Sequence, residues 1–511
     1  MTKSIGVIDL GSNTARLVIY KQDEQGNLTE VDNIKRSLRL SNHLQNNRLD
    51  GEGISITLTC LHQFKELLDA RQVQKTIAVA TAAVRQAENG IELTERIKAE
   101  TGIYIQILTG EEEACYGYLA VMDSMNVDEG VTIDIGGGST EITYFQNRRL
   151  QESHSFPFGI VTLTKMFLHS DIPTEAEFAQ LRSFLAASFA SKPWLMSKKC
   201  PVIAIGGTAR NLGKIHQRSV HYSMDSLHHY PISTENVTGI LEHIRSLSLE
   251  ERRQVPGMSK DRADVVLSGI AAFESLLEHT GSDILLVSNK GLREGVLYAS
   301  VWGVEPPATG SDIHAKTAAQ FMNRYHIDRA HAEHVKGLAL SLFDQLGAQG
   351  LHTFGQAERE LLATATLLHD AGRTINVYES SEHTFYLLTQ VLMAGYTHRE
   401  RLLIAMLASY KSNKLLVSQI NRHPDIVSKQ DKSMIEKLGH VLLVSRMLDR
   451  SMTQSIRSVQ LTKTNGSYCL ICVGKRTDHL EYSLLDEPLI KFSKGWKIPI
   501  SFEAAIAKPK T

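Results

Sequence analysis

Two short segments of this 511-residue chain repeat one pattern. Asp9-Leu10-Gly11 follows the strand-like SIGVIDL and precedes the strand-like ARLVIY, and Asp134-Ile135-Gly136 stands in the same way inside GVTIDIGGGSTEITYF. Each places a carboxylate at a strand end, then a turn stripped of side chains, then a second strand. Around them, KTIAVATAAVR, CPVIAIGGTARNLGKI and DILLVSNKGLREGVLYA read as strand, turn and helix start. YIQILTG leads into EEEACYGYLAVMDSM, a helical stretch with acids in its first turn, where the helix dipole favours them. The pattern predicts two related α/β halves, 1–125 and 126–304, with sites at the strand ends.

VWGVEPPATG (301–310) reads as a linker, 311–455 as almost purely helical, and 456–511 as a small β-rich α+β cap. Asn465-Gly466 marks a hairpin in the cap. Cys469 and Cys472 form a lone C-x-x-C in that hairpin; three residues apart on a strand they face opposite sides, so they read as structural rather than metal-binding or redox-active. The formal net charge of -1 requires any polyanion to meet local positive patches, and no nucleic-acid partner is expected. Asp9 and Asn13 interrupt the N-terminal apolar stretch, and no apolar run is long enough to span a bilayer, so neither a signal peptide nor membrane insertion is expected. Five scattered cysteines suit a reducing cytoplasm.

Glycines let backbone N–H groups approach an anion, and small polar side chains add donors. Gly11, Ser12 and Asn13, with Gly136, Gly137, Gly138 and Ser139, therefore form a predicted phosphate-binding set. The turns are neither a Walker A loop nor a Rossmann fingerprint, because the glycines do not open a helix. A pair of tight hairpins would explain the glycines but not the aspartates, Asn13, Ser139 and Thr140 beside them. Asp134 is assigned to Mg²⁺ (or Mn²⁺), with Glu141 as a second carboxylate and Asp9 as the counterpart in the first half. Seven residues separate Asp134 from Glu141, which would put them on opposite faces of one continuous strand; the glycine turn lifts that constraint.

VIDLGSNTARLVIY, ATAAVRQA, TGEEEACYGYLA, TIDIGGGSTEI, AIGGTARNL and NKGLREGVLY occur in an order that resembles the exopolyphosphatase/guanosine pentaphosphate phosphohydrolase (Ppx/GppA) family. The resemblance implies a pair of actin/sugar-kinase-like (ribonuclease H-like) α/β domains and release of terminal phosphate from inorganic polyphosphate or guanosine pentaphosphate. It implies that Glu113 is the catalytic glutamate and that Arg85 contacts a phosphate. It also places Gly206, Gly207 and Thr208 where superfamily ATPases approach the nucleotide, and suggests a homodimer. Hydrolysis of a phosphoanhydride needs a group to orient or deprotonate water, which agrees with a glutamate there. Glu111 and Glu112 read as acids decorating a helix start. Arg39, Arg262 and Arg293 are weaker candidates; near Arg39, Asn42 and His43 replace the acid and glycine usual in the family.

The helical region resembles an HD-type phosphohydrolase domain through His369-Asp370, with His334 upstream as a possible third ligand. Arg446 stands where a second aspartate is expected, so the region reads as a structural relic rather than a working metal site. The leading expectation is an exopolyphosphatase using Glu113 as base. A guanosine pentaphosphate 5′-phosphohydrolase is the first alternative. A non-catalytic nucleotide or alarmone sensor is the second, and an HD-type phosphodiesterase the third.

Overall fold

The computed structural model describes residues 3–24, 26–307, 309–476 and 479–506. The last residues of the expected cap, 507–511, lie outside the described residues. The chain divides into two compact units, 1–222 with 227–313, and 223–226 with 314–511.

The first unit contains two sheets of matching plan. Strands β1 (Lys3–Leu10), β2 (Thr14–Gln22), β3 (Leu28–Ser37), β4 (Lys75–Ala80) and β5 (Ile105–Ile107) lie in the order β3-β2-β1-β4-β5. Strands β6 (Gly130–Ile135), β7 (Thr140–Gln146), β8 (Arg149–Phe156), β9 (Val202–Ile205), β10 (Tyr230–Ser233) and β11 (Ile284–Val287) lie in the order β8-β7-β6-β9-β11-β10. In each sheet the first three strands in sequence are antiparallel and two more, β4 and β5 or β9 and β11, add in parallel; β10 joins the edge of the second sheet antiparallel to β11. This duplicated order is the ribonuclease H-like, actin-like arrangement. β1 and β6 are buried almost throughout, as central strands covered on both faces must be. Ile8, Leu10, Leu17 and Ile19 anchor one core, and Val131, Ile133, Val202 and Leu285 another.

The second unit is helical from Gly310–Arg324 to Asp431–Met447 and ends in a three-stranded sheet, β12 (Ile456–Thr464), β13 (Ser467–Gly474) and β14 (Ile500–Ile506). Asn465 and Gly466 both take positive φ between β12 and β13, as a two-residue hairpin turn requires. Cys472 is buried on β13 while Cys469 is half-buried, in keeping with the opposite faces expected of them. The Gln345 side chain tethers the helix Arg329–Ala348 to β12, donating to Val459 O at 3.0 Å and accepting from Leu461 N at 2.7 Å. Among the described residues no helix is long and apolar enough to cross a membrane.

Candidate active site

The two Asp-x-Gly turns are superimposable in register. Leu10 pairs with Ala15 and Ile135 with Thr140, so each turn spans four residues. Each closes through one bond, Gly11 N to Thr14 O at 3.0 Å and Gly136 N to Ser139 O at 2.9 Å. Their carbonyls are tied from behind. Leu38 N and Arg39 N donate to Asn13 O, and Ser41 N to Ser12 O; Ile160 N and Val161 N donate to Gly136 O and Gly137 O. The segment around Arg39 thus acts through its backbone, which tolerates the unusual Asn42 and His43; His43 itself lies against Asp50.

The turns meet in one cleft. A Cβ on Gly137 would lie 3.1 Å from Ser12 Cβ, tighter than ordinary contact, so glycine favours this approach. The cleft is lined by Glu113, Asp134, Glu141, both turns, Gly206, Gly207, Arg210, Arg262 and Arg293. Gly138 is not part of the lining, and Thr208 is buried in packing with its hydroxyl unpartnered. Ser12 accepts from Ala83 N through its hydroxyl at 3.2 Å. Arg210 was not among the residues singled out from sequence; its signal was its position one helical turn after the Gly206-Gly207 pair.

Asp134 and Glu141 are direct partners across the β6–β7 hairpin, hence on one face of the sheet. The corresponding pair in the first half is Asp9 and Arg16. The duplication therefore yields two carboxylates in one half and a carboxylate and a cation in the other. Asp9 also lines the cleft, and Arg293 Nη1 lies 3.0 Å from its carboxylate. Burial raises the Asp9 carboxyl, with Arg293 opposing. Burial pushes Asp134 up to about 6, against the pull of Arg210. Glu141 is raised by burial, opposed by hydrogen bonds from Ser139 and Ser155, the latter at 2.9 Å. Buried carboxylates held above their usual range lack compensating positive charge, and their hard oxygens fit Mg²⁺ or Mn²⁺.

Glu112 and Glu113 separate in role at the start of the helix Gly110–Ser124. Glu112 forms a capping box, accepting from Thr109 N at 2.8 Å while Thr109 Oγ1 accepts from Glu112 N at 3.1 Å. The next residue, a hundred degrees further round, turns Glu113 into the cleft at 9% exposure. Burial and then Glu141 raise its carboxyl, and Arg85 opposes them. Arg85 was expected on a phosphate. Its Nη1 instead pairs with the Glu113 carboxylate and donates to Leu108 O at 2.8 Å, and Arg85 does not line the cleft.

Gly206 is required twice over: its φ is +89°, and a Cβ there would stand 2.5 Å from Asp134 Oδ1. Gly206→Ala is expected to lose about 1–3 kcal/mol of stability and to lower turnover by displacing Asp134. Denaturant midpoints and kcat check it; full activity at unchanged stability would refute the required close approach.

The sequence model of the Ppx/GppA phosphatase family matches residues 18–302, and that of Ppx/GppA phosphatase domain III matches 313–484. The chain belongs to this family. A Ppx/GppA member from Aquifex aeolicus is 32% identical, with TM-score 0.54, over 59% of this chain and 98% of its own. An exopolyphosphatase from Cytophaga hutchinsonii is 25% identical, with TM-score 0.54, over 60% of this chain and 100% of its own. The protein is thus a Ppx/GppA phosphatase, a hydrolase of phosphoanhydride bonds, with an actin-like N-terminal region and a domain III.

Proposed function

We propose that this Ppx/GppA phosphatase is an exopolyphosphatase. The observation that carries the reading is a second cavity, of about 380 Å³, that shares Thr14, Gly207, Arg210, Arg262 and Arg293 with the catalytic cleft. Six cations line it: Arg16, Lys35, Arg210, Lys214, Arg262 and Arg293. Neither a carboxylate nor an aromatic ring is among its lining residues. Its one amide, Asn211, is already spent on Gly257 O and Ser259 N. Such a lining suits the following phosphates of a chain, whereas guanine is recognised by stacking and by acceptors for its ring donors. The name of the Cytophaga relative supports the same substrate.

In this reading the terminal phosphate sits between the two turns, whose amides and the cleft arginines face its oxygens. Glu113 takes a proton from the attacking water. The new P–O bond forms as the bridging P–O bond breaks, and the shortened chain leaves as a phosphate anion held by the cations behind it. Asp134 and Glu141 would hold Mg²⁺ or Mn²⁺, which when bound neutralises phosphate oxygens.

Phosphate release from long-chain polyphosphate and from guanosine pentaphosphate, with and without Mg²⁺, tests this. The expected result is Mg²⁺-dependent release with kcat/KM at least about tenfold higher for polyphosphate, a 1.4 kcal/mol preference. Preference for the guanosine compound would make the protein a guanosine pentaphosphate phosphohydrolase. Binding of either without release would make it a sensor.

A further inference from the structure

The helix that carries Glu113 lies along a row of side chains set up by strand register. Ser155 on β8 pairs with Glu141 on β7, Glu141 with Asp134 on β6, and Asp134 with Ile205 on β9. Register partners share one face of a sheet. The four side chains therefore stand in line across four strands, about 4.8 Å from one strand to the next. The helix Gly110–Ser124 covers that face. A Cβ on Gly110 would stand 2.3 Å from Ser155 Cβ, and one on Gly117 would stand 3.5 Å from Ile205 Cδ1. Gly110 rests on one end of the row and Gly117 on the other.

These two contacts fix where Glu113 comes down. Gly110, Glu113 and Gly117 are three and then four residues apart, which keeps them on one face of the helix. Glu113 lies about 4.5 Å along the axis from Gly110 at 1.5 Å per residue. That is close to the strand spacing of about 4.8 Å that separates Ser155 from Glu141, so Glu113 descends beside Glu141.

The fit at the Gly110 end has no slack. The Cβ of Ser155 is bound to the strand backbone and cannot swing aside as the far end of a long side chain could. Its hydroxyl, 2.4 Å from a Cβ placed on Gly110, is engaged as well, donating to Glu141 Oε1 at 2.9 Å. One side chain thus carries the start of the helix through its Cβ and holds a cleft carboxylate through its Oγ.

We propose that Ser155 is a positioning residue for the hydrolysis. By its fit to Gly110 it sets the height of Glu113 above the Asp134–Glu141 pair, and by its hydroxyl it orients the Glu141 carboxylate. The inference rests on Glu113 as the base. A larger group on either side of the Gly110–Ser155 contact lifts the helix start and carries Glu113 away from the reacting phosphate.

The test measures phosphate release from polyphosphate with Mg²⁺, together with the denaturant midpoint of each variant. Gly110→Ala should lower kcat about 10²-fold, as a misplacement of about 1 Å does, with KM little changed. Ser155→Gly makes room for the added methyl. In the Gly110→Ala protein it should raise kcat about tenfold and raise the midpoint, although alone it lowers both. In a Glu113→Gln background Gly110→Ala should cost nothing further in kcat. Full activity of Glu113→Gln would remove the base reading and this proposal with it. With Glu113→Gln impaired, wild-type kcat in Gly110→Ala would overturn this proposal alone, as would a Gly110→Ala protein that Ser155→Gly fails to improve or a further loss in the Glu113→Gln background. Should Gly110→Ala not fold, Ser155→Ala decides: it keeps the Cβ, loses the bond to Glu141 and should lower kcat about tenfold at unchanged KM, and an unchanged kcat overturns the proposal.

Discussion

Glu113→Gln is expected to lower kcat for phosphate release by about 10²–10⁴-fold, the range a positioned base supplies, with KM little changed. Glutamine keeps the size and the hydrogen bonding of the side chain but takes no proton. The same variant decides the role of Arg85. The guanidinium touches Glu113 and Leu108 O and does not line the cleft. If it acts through Glu113, Arg85→Gln lowers kcat in the wild type and adds nothing in the Glu113→Gln background. Arg85→Gln also moves the acidic limb of the kcat profile to higher pH. Arg85 is the cation that lowers the Glu113 carboxyl against burial, and without it the base stays protonated to higher pH. A direct phosphate ligand would behave differently: its loss would raise KM and the two substitutions would be additive. Full activity in Glu113→Gln would remove the base assignment itself.

The second large effect concerns the cationic cavity. Arg16 and Lys35 line it but do not line the cleft that holds Glu113. The Arg16→Ala/Lys35→Ala variant is expected to raise KM for long-chain polyphosphate by roughly tenfold or more, at about 1 kcal/mol per cation. Because neither side chain meets the reacting phosphate, kcat should hold. The loss should shrink for tripolyphosphate, which is too short to fill both cavities, and the salt dependence of KM should flatten as charges are removed. KM values across chain lengths and salt concentrations check this. An equal loss for short and long chains would place the rest of the substrate elsewhere.

Arg16 also shows where sequence reading stops. The duplicated strand, Asp-x-Gly turn and strand could be read directly because each is written within about eight consecutive residues by alternation and glycine. The same locality covers the Asn465-Gly466 hairpin and the helical region. What lies across a sheet or between helices is not written locally. Glu141 and Arg16 occupy equivalent positions beside the two aspartates; strand register sets Glu141 directly across from Asp134, as the sequence suggested, and sets Arg16, which the sequence did not single out, across from Asp9 and against a cationic cavity. Arg85 is drawn to Glu113 by a contact over 28 residues, and Asp9 to Arg293 over 284. His331 meets His369 and Asp370, whereas His334, about one turn further along the same helix, reaches Ile456 O.

By itself, then, the sequence determined the kind of site: two glycine turns between strands, with acids at their lips, and a glutamate at a helix start. Such features depend on backbone geometry and spacing along a few residues. The tertiary structure decided which acid meets a guanidinium, which glutamate is capped and which turns into the cleft, and where the cations gather. Those outcomes rest on charge and burial, and both are set by residues that meet only when the chain has folded.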